Sequence, residues 1–223
     1  MKAVESLRVR ALLLAAFLTS IVVAAVLAPA AGAQEGGPET GCTGQIVLDP
    51  GHGGTDTGTS NSTYGLLEKD QNLDVALRLE ALLEGEGHNV CMTRTGDATL
   101  SNNDRYTYAN TTGAKLLISI HMNGSTNKSI DYTTTLYGKP RKDQELANVM
   151  LDALYPALGI PKRAPSQFAS GVLLKSDMPA IIAESVFITN DGEGRLLSDG
   201  TGVRQQQIAE ALRAGIDNYL ATR

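Results

Sequence analysis

The sequence holds three histidines in 223 residues, and two of them follow short apolar runs. Ile46-Val47-Leu48 leads through Asp49, Pro50 and Gly51 to His52, with Gly53 and Gly54 behind it, and Leu116 to Ile120 leads directly into His121. A third run, Ala180 to Ala183, leads into Glu184. Two histidines and a glutamate are a known catalytic zinc set: three protein ligands, with a fourth position left for water. A further carboxylate beside that water would supply general base chemistry. Taken alone, the stretch around His52 reads equally well as an ordinary strand-ending turn with a solvated imidazole, so the chemistry depends on what brings the groups together. His88 sits in a turn between helix and strand, where a solvated role is expected.

The elements that would position these groups follow from periodicity. Short apolar runs predict buried strands at Ile46–Leu48, Asn89–Thr93, Lys115–Ile120 and Ala180–Ala183. A threonine-rich stretch, Asp131–Tyr137, predicts an edge strand, and Val172–Leu174 a very short one. Helices are expected over Glu68–Glu84, from a Ser101 cap to about Thr112, over Asp143–Leu158 and over Val203–Leu220. Thr55–Tyr64 and Ile160–Ser170 should be loops. Strand and helix alternate throughout, which predicts a single α/β domain: a mostly parallel twisted sheet with helices on both faces. Parallel strands align their carboxyl ends along one edge, where such sheets bind ligands. His52, His121 and Glu184 would meet there. Glu68 begins near that edge too, because a crossover helix starts where its strand ends.

Composition limits the partners. Lys2, Arg8 and Arg10 precede a charge-free run from Ala11 to Ala33 that ends in Pro29 and Ala31-Gly-Ala33. Residues 1–33 therefore read as a signal peptide. The run is long enough to span a bilayer as an uncleaved anchor, but Pro29 and the small residues favour cleavage. Either way the domain is expected outside the cytoplasm, secreted or in the cell envelope. Residues 34–44 read as a linker and 45–223 as the catalytic domain. Loss of residues 1–33 removes three cations and Glu5, taking the net charge from −5 to −7. Such an acidic domain without a basic cluster is a poor partner for nucleic acid or anionic lipid. With 4% aromatic residues and no tryptophan, a dedicated carbohydrate-stacking surface is not expected. Cys42 and Cys91, in an oxidising compartment, suggest one disulfide if their strands are neighbours.

No H-E-x-x-H, phosphate-loop or G-x-S-x-G pattern is present. What is present is an ordered series: Leu48-Asp-Pro-Gly-His-Gly-Gly54 with Asp56 and Gly58, Gly65-Leu-Leu-Glu-Lys-Asp70, Thr93-Arg94, Arg105 with Ala109-Asn110, Ser119-Ile-His-Met-Asn123, and Pro179 through Glu184 to Asn190. Over about Ile46 to Tyr219 the chain resembles zinc-dependent N-acetylmuramoyl-L-alanine amidases of the type-3 catalytic domain. The resemblance implies one Zn2+ per chain held by His52, Glu68 and His121, with Glu184 as the catalytic carboxylate. It implies peptidoglycan as substrate, a monomer, and a protein activator as a further partner to seek. Asp56 is expected either to orient His52 or to serve its own turn. Arg94, Arg105 and Asn110 should hold the sheet and loops, and Asn123 lies close enough to touch substrate. Ser185 stands where the family often has glycine, which would alter a loop beside Glu184. Short loops predict an open groove. The competing readings are a non-catalytic binding relative, a zinc peptidase cutting within the stem peptide, and a structural zinc protein.

Overall fold

The computed structural model describes residues 36–223; the expected signal peptide and the first two linker residues lie outside them. Six strands form the main sheet in the order β4-β1-β5-β8-β6-β7. They are β1 (Ile46–Pro50), β4 (Val90–Met92), β5 (Leu116–Asn123), β6 (Thr134–Tyr137), β7 (Ser166–Gln167) and β8 (Ala180–Phe187). A small hairpin, β2 (Ser60–Asn61) with β3 (Leu66–Leu67), lies apart. All neighbours in the sheet run parallel except β6 with β8. The helices are α1 (Glu68–Gly85), α2 (Asn102–Thr111), α3 (Pro140–Leu158), α4 (Gly171–Lys175), α5 (Asp191–Leu197) and α6 (Val203–Leu220).

Alternation along each strand decides which helix it meets. Ile46, Leu48, Ile118, Ile120, Ile181 and Ala183 face α1, α3 and α6 in one core. Val47, Leu117, Ala180 and Ile182 face the other way, against Ala109 of α2 and Val172 and Leu173 of α4. Both faces of the sheet are therefore covered, which explains why its strands read as unbroken apolar runs. Full burial of each such Ile or Leu contributes roughly 1.5–3 kcal/mol. Among the described residues no helix is long and apolar enough to cross a membrane.

Several expectations change. The strand at Thr134–Tyr137 is not the edge, because β7 pairs beyond it within the expected loop 160–170. Val172–Leu174 is the middle of α4 rather than a strand; a three-residue apolar run carries no usable period. The expected loop Thr55–Tyr64 contains β2, which pairs with β3 just beyond it. Strands β5 and β8 continue past His121 and Glu184, so both residues stand within strands. Ser185 is accordingly a fully buried strand residue, not part of a loop. Residues 36–44 are held along the sheet: Glu39 N–H donates to Met92 O and Met92 N–H to Glu39 Oε2, while Cys42 is disulfide-bonded to Cys91. This strap lies against β4, which otherwise presents the open edge of the sheet.

Candidate metal centre

The His52 loop is gripped from below. Pro50, Gly51 and His52 all offer carbonyl oxygens to two buried arginines. Arg94, fully buried, donates to Pro50 O (2.9 Å), Gly51 O (2.9 Å) and Lys69 O (2.8 Å). Arg105 donates to Pro50 O (2.8 Å), His52 O (2.7 Å) and the Asp49 carboxylate (2.8 Å). Arg105 is placed by α2, whose first turn is fixed by reciprocal bonds between Ser101 and Asp104. Asp49 also accepts from Thr93 and Ser119, at 2.6 Å each. Burial alone would raise the Asp49 pKa, but Arg105 and the two hydroxyls bring it below the ordinary value. His52 itself has φ 61°, a left-handed conformation that a side chain rarely adopts. The clamp of arginines over-determines that backbone.

The side chains above converge. His52 Nε2 and His121 Nδ1 each lie 3.1 Å from the same oxygen, Glu68 Oε1. One potential ligand atom from each of the three residues falls within 4.8 Å of the others. Glu68 is the first residue of α1 and is 3% exposed. Its Oε1 also accepts from Met122 N–H (3.2 Å), and its Oε2 from Thr59 N–H (2.8 Å). Asp56 Oδ2 meets His52 Nδ1 at 2.9 Å, leaving Nε2 turned to Glu68, while Asp56 Oδ1 accepts from Gly58 N–H. Both roles considered for Asp56 are thus filled at once. The close packing needs glycine: a Cβ on Gly51 would stand 2.2 Å from the His121 ring, and one on Gly58 2.6 Å from His52 and 2.7 Å from Glu68.

Electrostatics separate the two glutamates. Burial tends to raise the Glu68 pKa, but hydrogen bonds from His121 and His52 overcome it and hold the carboxyl far below the carboxylate range. The hydrogen bond to Glu68, opposed by burial, pushes His52 up to about 9. Glu184 is different. β8 places it beside His121 by direct strand pairing and beside Thr134 on the other side. Its Oε2 is buried and has no hydrogen-bond partner among the described residues. Burial, opposed by His121 and reinforced by Glu68, raises its pKa. Glu184, His52, His121 and Asn123 line one cavity of about 500 Å³. His52 and His121 are 24% and 19% exposed there, so solvent reaches the site.

Three imidazole or carboxylate donors aimed at one point, a second shell fixing the tautomer of one of them, and an orphaned buried carboxylate oxygen beside them fit a catalytic metal. Asn110 lies away from this centre, tying Lys175 O and Asp177 N–H together. His88 pairs with Asp217 at 3.5 Å, close to Glu86. Sequence reasoning missed the Thr59 and Met122 amides that fix Glu68, since backbone donors leave no residue signature. It also missed Phe168, an exposed ring on the cavity wall.

Residues 46–218 match the pattern of the N-acetylmuramoyl-L-alanine amidase family. The chain is 34% identical over 178 residues to a probable cell wall amidase, LytH, of Staphylococcus epidermidis, covering 79% of this chain and 58% of that one. It thus spans little more than half the length of that curated relative. The N-acetylmuramoyl-L-alanine amidase from Clostridium difficile 630 superimposes with a TM-score of 0.75 at 31% identity, over 81% of this chain and 98% of that one. The CwlD amidase from Clostridioides difficile, solved in complex with the GerS lipoprotein, also reaches 0.75, at 29% identity over 81% and 100% of the two chains.

Proposed function

Since the chain belongs to the N-acetylmuramoyl-L-alanine amidase family, matched from residue 46 to residue 218, we propose that it hydrolyses the amide between the lactyl group of N-acetylmuramic acid and L-alanine in peptidoglycan, using one Zn2+ per chain. His52, Glu68 and His121 would hold the ion and Glu184 would be the catalytic carboxylate. The observation that carries the reading is the single point of convergence on Glu68 Oε1, 3.1 Å from both imidazoles, in contact with a cavity that also holds the unpartnered Glu184.

Zinc, when bound, supplies a Lewis acid and lowers the pKa of water toward neutrality. The chain's own residues do the rest. Asp56 holds the His52 tautomer through Nδ1. Arg94 and Arg105 fix the backbone beneath that imidazole. Glu184, with no internal partner for Oε2, takes the proton from the attacking water and passes it to the departing L-alanine nitrogen. No covalent intermediate is needed.

The same reading places the protein outside the cytoplasm, where the Cys42–Cys91 disulfide is stable, and acting as a monomer. A protein activator is proposed on the strength of the lipoprotein complex formed by the similar CwlD. The test is incubation of the purified protein with peptidoglycan, with and without a chelator, followed by mass analysis of soluble products. Intact stem peptides, lost with chelator and regained with zinc, are the expected result. Shortened peptides would mean a peptidase, and zinc binding without any release a non-catalytic relative.

A further inference from the structure

The amide broken in the proposed reaction joins two unlike halves. On one side is an N-acetylated sugar without charge; on the other is a peptide with free carboxylates. One cavity opens on the candidate metal centre, a second lies beside it one residue along the chain, and their linings differ in the same sense. The first, of about 500 Å³, contains Glu184 and Asp56 and has an apolar wall of Leu136, Phe168 and Val172. The cation in its lining, Arg105, is committed to Asp49 and to the Pro50 and His52 carbonyls. Phe168 is 51% exposed, and its backbone is fixed by donation to Tyr137 O at 2.9 Å.

The second cavity, of about 530 Å³, begins at Gly124, the residue after Asn123 of the first, and at Thr59, whose amide holds Glu68. Its lining is hydroxyls and amides around Lys128, with no carboxylate. Lys128 Nζ donates to Thr63 Oγ1 at 3.1 Å and lies 4.0 Å from Asp191, with half of its side chain in solvent. An exposed pair at that distance is weak, so the ammonium has donors to spare for a ligand.

Resting on the amidase reading, we infer that the second cavity is the stem-peptide subsite, with Lys128 pairing with a peptide carboxylate, and that the first receives the sugar, with Phe168 against a pyranose face. A peptide carboxylate in the first cavity would face Glu184 and Asp56, and apart from the zinc, which the reacting amide and water occupy, the cation there, Arg105, is committed, a like-charge arrangement that selects against it. An uncharged sugar meets no such penalty, and its C–H face packs on an aromatic ring. This is one ring at one subsite, not a stacking platform.

The test is ligand affinity in the zinc-loaded Glu184→Gln protein, alongside hydrolysis by the unaltered enzyme. Three ligands suffice: N-acetylmuramoyl-L-alanyl-D-glutamate, the same compound with both glutamate carboxyls amidated, and D-lactyl-L-alanyl-D-glutamate, which lacks the sugar. Lys128→Ala should weaken the first about tenfold, the loss of one charge-assisted hydrogen bond, and the amidated form less than about twofold. Lys128→Arg should restore affinity for the first. Phe168→Ala should weaken the muramoyl ligand about fivefold and leave the sugar-free ligand nearly unaffected. Equal losses on paired ligands, or the two patterns exchanged, would overturn the assignment even if the enzyme cleaves. The expected pattern without any hydrolysis by the unaltered protein would keep the subsites and remove the amidase reading instead.

Discussion

Glu68 and Glu184 share a residue type and a site, yet the protein treats them oppositely. Both oxygens of Glu68 are engaged: two imidazoles and the Met122 amide meet Oε1, and the Thr59 amide meets Oε2. Its charge is welcome, and its pKa falls far below the ordinary value. Glu184, on β8, has a buried oxygen with no partner among the described residues and a pKa moved upward by burial. A carboxylate whose charge is stabilised suits permanent ligation; one whose charge is tolerated poorly suits proton transfer. Environment, not residue type, separates the proposed ligand from the proposed base.

The sharpest way to break that contrast is to make the same substitution at both positions. Glu184→Gln should lower kcat on peptidoglycan by about a thousandfold, within the usual range for a lost general base, while metal content by atomic absorption stays stoichiometric. Glu68→Gln should lose the metal itself, as should His52→Ala or His121→Ala. If both glutamine variants kept zinc and lost the same activity, the two roles would collapse into one.

A smaller effect should come from the second shell. Asp56→Asn keeps the shape of the side chain but weakens the hold on His52 Nδ1. Metal affinity, read by chelator competition, should fall about 10- to 100-fold, with kcat under saturating zinc changed much less. A large kcat loss with unaltered affinity would instead put Asp56 in the reaction and blur the boundary between holding the metal and moving the proton.

How far this contrast could be read from the sequence depends on the side chain. The apolar runs of β1, β5 and β8 announced buried parallel strands, and their order placed His52, His121, Glu184 and Glu68 at one edge. That works because strand direction alone decides which ends meet. The difference between the two glutamates was not legible, since it arises from the Thr59 and Met122 amides on one and from their lack on the other. Arg94 and Arg105 look like surface residues by type, and only the fold supplies the carbonyls that let them be buried. Phe168 lies in a stretch with Pro161 and Pro165 whose two-residue strand β7 is too short to leave a period.

A second raised carboxylate tests whether an upward pKa alone marks function. Glu80, on α1, is pushed up to about 7, first by burial and then by Glu39 of the strap and Glu84. It does not line the cavity that holds Glu184. Its folded pKa is above the unfolded one, so the favourable contribution is fully present only below about pH 4.5 and disappears as pH rises through 7. Glu80→Gln should therefore stabilise the protein at pH 8, by roughly 1 kcal/mol once the partly exposed position is discounted for solvent screening. The gain should shrink toward zero as the pH approaches 4, and calorimetric melting across that range would show it. Hydrolysis should be untouched. A Glu80→Gln protein that loses activity as Glu184→Gln does would mean that desolvation, rather than desolvation beside His121 and the open cavity, had been mistaken for the mark of the base.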